Sequence, residues 1–171
     1  MPKNRPNILL LMTDQQRGDC LGIEDHPVVQ TPYIDNLAAD GVRFSKGYTA
    51  CPVCIPARRT LMTGQKPSST GVMMNYHTRL DGPTLPGELA KVGYQTHVVG
   101  KMHLHPKRKL YGFMSSDWAD SPHEHFENDD DYMMYLREQG VMLRNPGMTH
   151  GANCNGWVSR PWPLEEHHHF T

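Results

Sequence analysis

The chain has 171 residues, one domain's worth, with four cysteines and a net charge of -1 at pH 7. That balance excludes the basic face of a nucleic-acid binder, and so few cysteines exclude a disulfide scaffold and agree with a reducing compartment. The first apolar run, residues 8–12, is too short for a signal-peptide core or for a membrane span of about 20 residues, so the expectation is a cytoplasmic chain, or a periplasmic or secreted one whose leader was removed.

In chain order, "NILLLMT" (7–13) is a continuous apolar run that stops at Asp14. It predicts a strand buried on both faces of a covered parallel sheet. "TPYIDNLAADG" has Thr31 as N-cap, Pro32 at the first helical position and Gly41 past the end, which predicts a short helix. "VRFSKGY" (42–48) reads as a second strand, "PARRTLMTG" as a helix closed by Gly64, and "LPGELAKVG" as a helix closed by Gly93. "YQTHVVG" returns as a strand that stops at Gly100. This alternation predicts a wound α/β sheet, with sites at the carboxyl ends of its strands.

Beyond Pro106 the pattern dissolves, and residues 107–171 read as a loop-rich surface insertion with one helix. Its basic tripeptide at 107–109 and its polar, acidic stretch "SSDWADSPHEHFENDDD" read as solvated loop. Asp129 to Asp131 read as a helix start, and "YMMYLREQG" as the helix, closed by Gly140. His150 and His167 to His169 read as mainly structural.

The densest chemistry lies in "CPVCIPARRTLMTG" (51–64). A redox reading of Cys51-Pro-Val-Cys54 has a physical basis, since a helix N-terminus lowers a thiolate pKa, but leaves Pro56 and Arg58 unexplained. A zinc reading needs two further ligands, and only Cys20, Cys154 and scattered histidines are available. Two buried cysteines acting as small hydrophobes are the bland reading.

The pattern Cys54-x-Pro56-x-Arg58-x-x-Leu61-x-Thr63-Gly64 resembles the signature of the sulfatases, in which that cysteine is oxidised to formylglycine. Cys51 does not fit, because Val53 and Ile55 stand where proline and arginine would be needed. The resemblance continues in order through "PNILLLMTDQQRGD", the helix at 32–40, and "TLPGELAKVGYQTHVVGKMHLHP", which is similar to the second sulfatase signature with its glycine-lysine-x-histidine segment. It is nearest to the choline-sulfatase and phosphonate-monoester-hydrolase branch.

The resemblance implies an alkaline-phosphatase-like α/β sandwich, of which residues 1–171 would be the N-terminal part of the catalytic domain. It implies a sulfuric ester hydrolase with Cys54, Arg58, Lys101 and His103 as catalytic residues, and Asn75 and Lys101 as substrate-binding residues. Asp14 and Cys54 would ligate a divalent metal, calcium first, with manganese or magnesium as alternatives. Many sulfatases carry two successive aspartates where this chain has Asp14-Gln15, and a glutamine carbonyl adds no charge to a metal site.

The chemistry is coherent. An aldehyde hydrate offers one hydroxyl to attack sulfur and a second whose proton loss expels sulfate, splitting one hard step into two. Lys101 would bind a sulfate oxygen, and His103 would act as general base. The implied partners are a small-molecule or carbohydrate sulfate ester, the formylglycine-generating enzyme and a homo-oligomeric copy, with neither nucleic acid nor membrane. A phosphonate or phosphate ester hydrolase, a catalytically silent fragment and a C-x-x-C redox protein are the competing readings.

Mass spectrometry of the peptide containing residue 54 separates these readings. Protein from its native host is expected to have exchanged the Cys54 sulfur for oxygen and to react with hydrazides. An unmodified thiol in that protein would remove the sulfatase mechanism.

Overall fold

The computed structural model describes residues 5–120, 131–140 and 165–168. The chain divides into two compact units, Met1–Thr49 and Ala50–Thr171, each taken by itself below.

In the first unit, a 3-10 turn at Gly22–Glu24 precedes α1, Pro32–Asp40. Pro32 at the first position and Gly41 beyond the last residue set the helix bounds, as the sequence predicts. Thr31 does not cap α1 with its side chain. Its hydroxyl instead accepts from the Gly22 N–H at 2.8 Å and donates to Asp35 Oδ1 at 2.8 Å, while Asp35 Oδ1 also takes the Ile23 N–H at 3.0 Å. This network ties the 3-10 turn to the first turn of α1.

The two strands expected here do not form. Residues 7–13 are unpaired coil, and residues 42–48 are coil and turn. Leu9, Leu11, Val42, Phe44 and Tyr48 are all more than three-quarters exposed. A strand of this composition is stable only between partner strands with both faces covered, and the described residues supply neither. Local propensity alone does not make a strand.

The second unit holds α2 (Cys54–Thr63), α3 (Pro67–Thr70), α4 (Leu85–Lys91), β1 (His97–Gly100), β2 (Ser115–Trp118), α5 (Asp131–Glu138) and a 3-10 turn at Glu166–His168. β1 and β2 are parallel, in register from His97 opposite Ser115 to Gly100 opposite Trp118. The expected strand at the end of "YQTHVVG" is present as β1. The reading of residues 115–118 as loop is corrected: "SSDW" is β2, whose Ser115 and Asp117 are exposed while Ser116 is half-buried and Trp118 is buried. Its pairing with β1 supplies the strand geometry that its composition does not advertise. Asp129, Asp130, His150, Cys154 and His169 lie outside the described residues.

Parallel strands need a crossover, and here it is residues 101–114. Its Met102, Leu104 and Tyr111 pack with Met62, Leu80 and Trp118 as the core, with Val98 and Phe113 against it. α4 is held on this crossover by Thr84, whose hydroxyl accepts from Gly87 N–H and donates to the Tyr111 carbonyl. Gly112 has φ 95, and a Cβ there would lie 2.5 Å from Gly87 N, so only glycine fits. Burial pushes the Tyr111 phenol up to about 12, with Asp120 and Asp81 adding to it, so the phenol remains a neutral donor to the Pro106 carbonyl at 2.7 Å.

α5 is tied to β2 through Asp131, which accepts from Trp118 N–H and Arg108, both at 2.8 Å. Burial pushes the Asp131 carboxyl up, but these two donors outweigh it and hold the carboxyl below its usual range. The expected helix of "YMMYLREQG" is thus present, and Leu136 anchors it in full burial.

The isolated 171-residue chain is expected to bind a hydrophobic dye such as ANS, because Ile8 to Met12 and the apolar side chains of residues 42–48 lie open. Cooperative melting without dye binding would show that these side chains are covered in solution.

Candidate active site

The site is built where the first turn of α2 meets the chain just beyond β1. Val53, extended at φ -126 and ψ 139, precedes the helix and offers no capping side chain. The first N–H groups of a helix have no partners within it. Asn75 meets part of that need: its Oδ1 accepts from the Ile55 N–H at 2.9 Å. Pro56 contributes no N–H, and with Ile55 and Met62 it forms the buried side of α2. Gly64, at φ 70, closes the helix with its N–H on the Thr60 carbonyl at 2.8 Å.

Cys54 is the first residue of α2 and is half-buried. Arg58 lies one turn later on the same face, and its guanidinium donates to the Lys101 carbonyl. Lys101 in turn points its Nζ at Cys54 Sγ, 3.6 Å away. The helix N-terminus and the lysine ammonium thus converge on residue 54, an arrangement suited to an anion.

β1 ends at Gly100, whose φ of 97 turns the chain. The strand does not continue past Gly100, so Lys101 and His103 lie on coil. Burial nevertheless alternates: Lys101 and His103 are half-buried, and Met102 and Leu104 are in the core. His103 has φ 48, and the N–H groups of Met102 and His103 both donate to Asp120 Oδ1, at 2.7 and 2.8 Å.

Among the sequence-predicted residues, the second unit therefore joins Cys54, Arg58 and Lys101 by direct contacts, places Asn75 on the residue after Cys54, and puts His103 in the same turn as Lys101. Asp14 belongs to the first unit, in an exposed bend, with Gln15 beside it at φ 52. Among the described residues, no group of three or more His, Cys, Asp or Glu could hold a metal ion. Cys51 is buried and hydrogen-bonds through Sγ to the Met73 carbonyl at 3.7 Å, the behaviour of a structural thiol. Sequence reasoning missed Asp120, because nothing in the acidic run around it distinguishes one aspartate from the next.

The sulfatase family model matches residues 6–147. The chain belongs to the sulfatase family. An arylsulfatase of Clostridium perfringens is 38% identical, in an alignment covering 98% of this chain and 37% of that protein. The crystal structure of a phosphonate monoester hydrolase of Agrobacterium radiobacter superposes with a TM-score of 0.63 and 31% identity, over 80% of this chain and 29% of that one. A structure solved in complex with its substrate D-glucosamine-2-N,6-O-disulfate superposes with a TM-score of 0.63 and 32% identity, over 71% of this chain and 24% of that one. The fold is accordingly alkaline-phosphatase-like, as the sequence predicts, and the chain spans about a third of the length of the arylsulfatase it matches.

Replacing Asn75 by alanine removes the acceptor of the Ile55 N–H and is expected to cost about 1 kcal/mol, the usual magnitude for a lost cap. Denaturant unfolding measures this, and hydrogen exchange at Ile55 is expected to quicken. Unchanged stability and exchange would leave Asn75 with no structural part in α2.

Proposed function

We propose that residues 1–171 form the N-terminal part of a sulfatase catalytic domain, and that the whole protein hydrolyses sulfuric esters at residue 54. The observation that carries this reading is the contact of Lys101 Nζ with Cys54 Sγ, 3.6 Å apart at the first turn of α2. That contact sits within two stretches of sequence that match the family's two signatures.

Oxidation of Cys54 to formylglycine would supply a hydrated aldehyde as nucleophile. The chain's own residues would do the rest. Lys101, already aimed at residue 54, binds a sulfate oxygen and offsets the charge that builds during attack. Arg58 fixes Lys101 through its carbonyl and adds positive potential one turn from the nucleophile. His103, in the same turn, takes the proton whose loss releases sulfate. Asn75 holds the first turn of α2 and reaches substrate from its exposed position.

We further infer from family membership a divalent cation, calcium first, with Asp14 and residue 54 among its ligands. Calcium takes about six to eight oxygens, and the described residues gather no such set. No step above passes through it. The sulfated glucosamine bound by one structural neighbour supports a carbohydrate sulfate ester as substrate class. The likeness to the phosphonate monoester hydrolase supports a second reading, hydrolysis of phosphonate or phosphate monoesters at the same residues. Rates on paired aryl sulfate and aryl phosphonate substrates choose between them.

In the whole protein, His103→Ala is expected to slow release of sulfate more than the first half of the reaction. Lys101→Ala is expected to impair binding and attack together, each loss being on the order of 10²-fold. Single-turnover and steady-state kinetics separate the two halves. Wild-type turnover in both variants would return these residues to a structural role.

A further inference from the structure

The turn that carries Lys101 and His103 is held by neither helix nor sheet. Its conformation depends on two side chains from elsewhere. The peptide unit joining Lys101 to Met102 has its carbonyl bonded to the Arg58 guanidinium and its N–H bonded to Asp120 Oδ1 at 2.7 Å. Because a peptide unit is planar and rigid, fixing both ends fixes its orientation. The same carboxylate oxygen takes the next N–H, that of His103, at 2.8 Å.

His103 has φ 48, a left-handed conformation that a histidine keeps only where its surroundings impose it. Two successive amides converging on one anionic oxygen are such a surrounding, since hydrogen bonds to a charged acceptor are the stronger kind. Asp120 arrives there through the sheet. Gly100 pairs with Trp118, and Ala119 N–H donates to the Gly100 carbonyl at 3.2 Å, so the chain after β2 emerges beside the turn after β1. Asp120 itself is half-buried.

We propose that Asp120 is a positioning residue for the reaction at residue 54: its carboxylate sets the backbone of residues 101–103 and so aims Lys101 Nζ and the His103 imidazole. It acts through those two residues, and the inference therefore rests on the roles given to them above. Arg58 and Asp120 form a pair in this task, a cation on the carbonyl and an anion on the N–H of one peptide unit. Asp131 offers the contrast, because its carboxylate joins α5 to β2 and touches no residue of the turn.

The test uses the whole protein with Asp120→Asn, which retains an acceptor oxygen of the same reach, and Asp120→Leu, of similar size with no acceptor. Lys101→Ala and His103→Ala run beside them. Asp120→Leu is expected to lower kcat about 10²-fold, the scale of loss for a catalytic group misplaced by roughly 1 Å. KM is expected to rise as well, because Lys101 also binds the sulfate oxygen, while conversion of Cys54, read by peptide mass, should be unchanged. Asp120→Asn is expected to recover kcat to within about tenfold of wild type, because an amide oxygen still accepts both N–H groups.

Wild-type kcat in Asp120→Leu, with Lys101→Ala and His103→Ala impaired, would overturn the role of Asp120 and leave the reading of the site standing. Equal losses in the Asn and Leu variants would overturn it too, because the amide oxygen still accepts the two N–H groups by which Asp120 is held to set the turn. So would an Asp120→Leu protein that does not fold, which would assign the carboxylate to folding. Wild-type rates in Lys101→Ala and His103→Ala would bring down the reading of the site and this inference with it.

Discussion

Where α2 docks on the chain after β1, two cationic side chains act in series. Arg58 holds the carbonyl of Lys101, and Lys101 reaches back to residue 54. The described core of the second unit supports that contact. Met62 on α2 and Met102 and Leu104 on the crossover belong to one core, so burial of their side chains brings the helix and the turn together from beneath. The hydrogen bonds above then choose one orientation among those that the core would tolerate. Apolar packing supplies most of the driving force, and charge-assisted bonds supply the geometry.

The left-handed backbone at His103 fits this division of labour. Such conformations cost free energy and persist only where several contacts agree on them. The β1–β2 ladder, the crossover core and Asp120 all act on the same few residues. Two parallel strands of four residues would make a poor sheet alone. Here they bring Gly100 and Trp118 side by side, so that the turn after one strand and the carboxylate after the other meet.

Much of this was legible in the sequence. Prolines in the first turns and glycines past the ends marked three helices, because those residues act through local backbone preferences that need no tertiary partner; the structure starts the second at Cys54, two residues before the Pro56 of the sequence reading, and ends the third at Lys91. The signature around Cys54 and the Lys101–His103 segment likewise pointed to one site, through their resemblance to the two sulfatase signatures. The fold family followed from the same motifs.

Strands were less legible. The run at 7–13 has ideal composition and pairs with nothing among the described residues, whereas "SSDW" has poor composition and forms β2. Strand formation is decided by a neighbour, and the neighbour is remote in sequence. Asp120 stayed invisible for the same reason: as an aspartate in an acidic stretch it carries no local mark, and its role arises only when the parallel register sets it against two amides 17 and 18 residues earlier. Local backbone preferences therefore determined the helices, and the ordered motifs determined the family. Strand pairing and the aim of the side chains belonged to the tertiary structure, because both depend on long-range hydrogen bonds that no short stretch of sequence encodes.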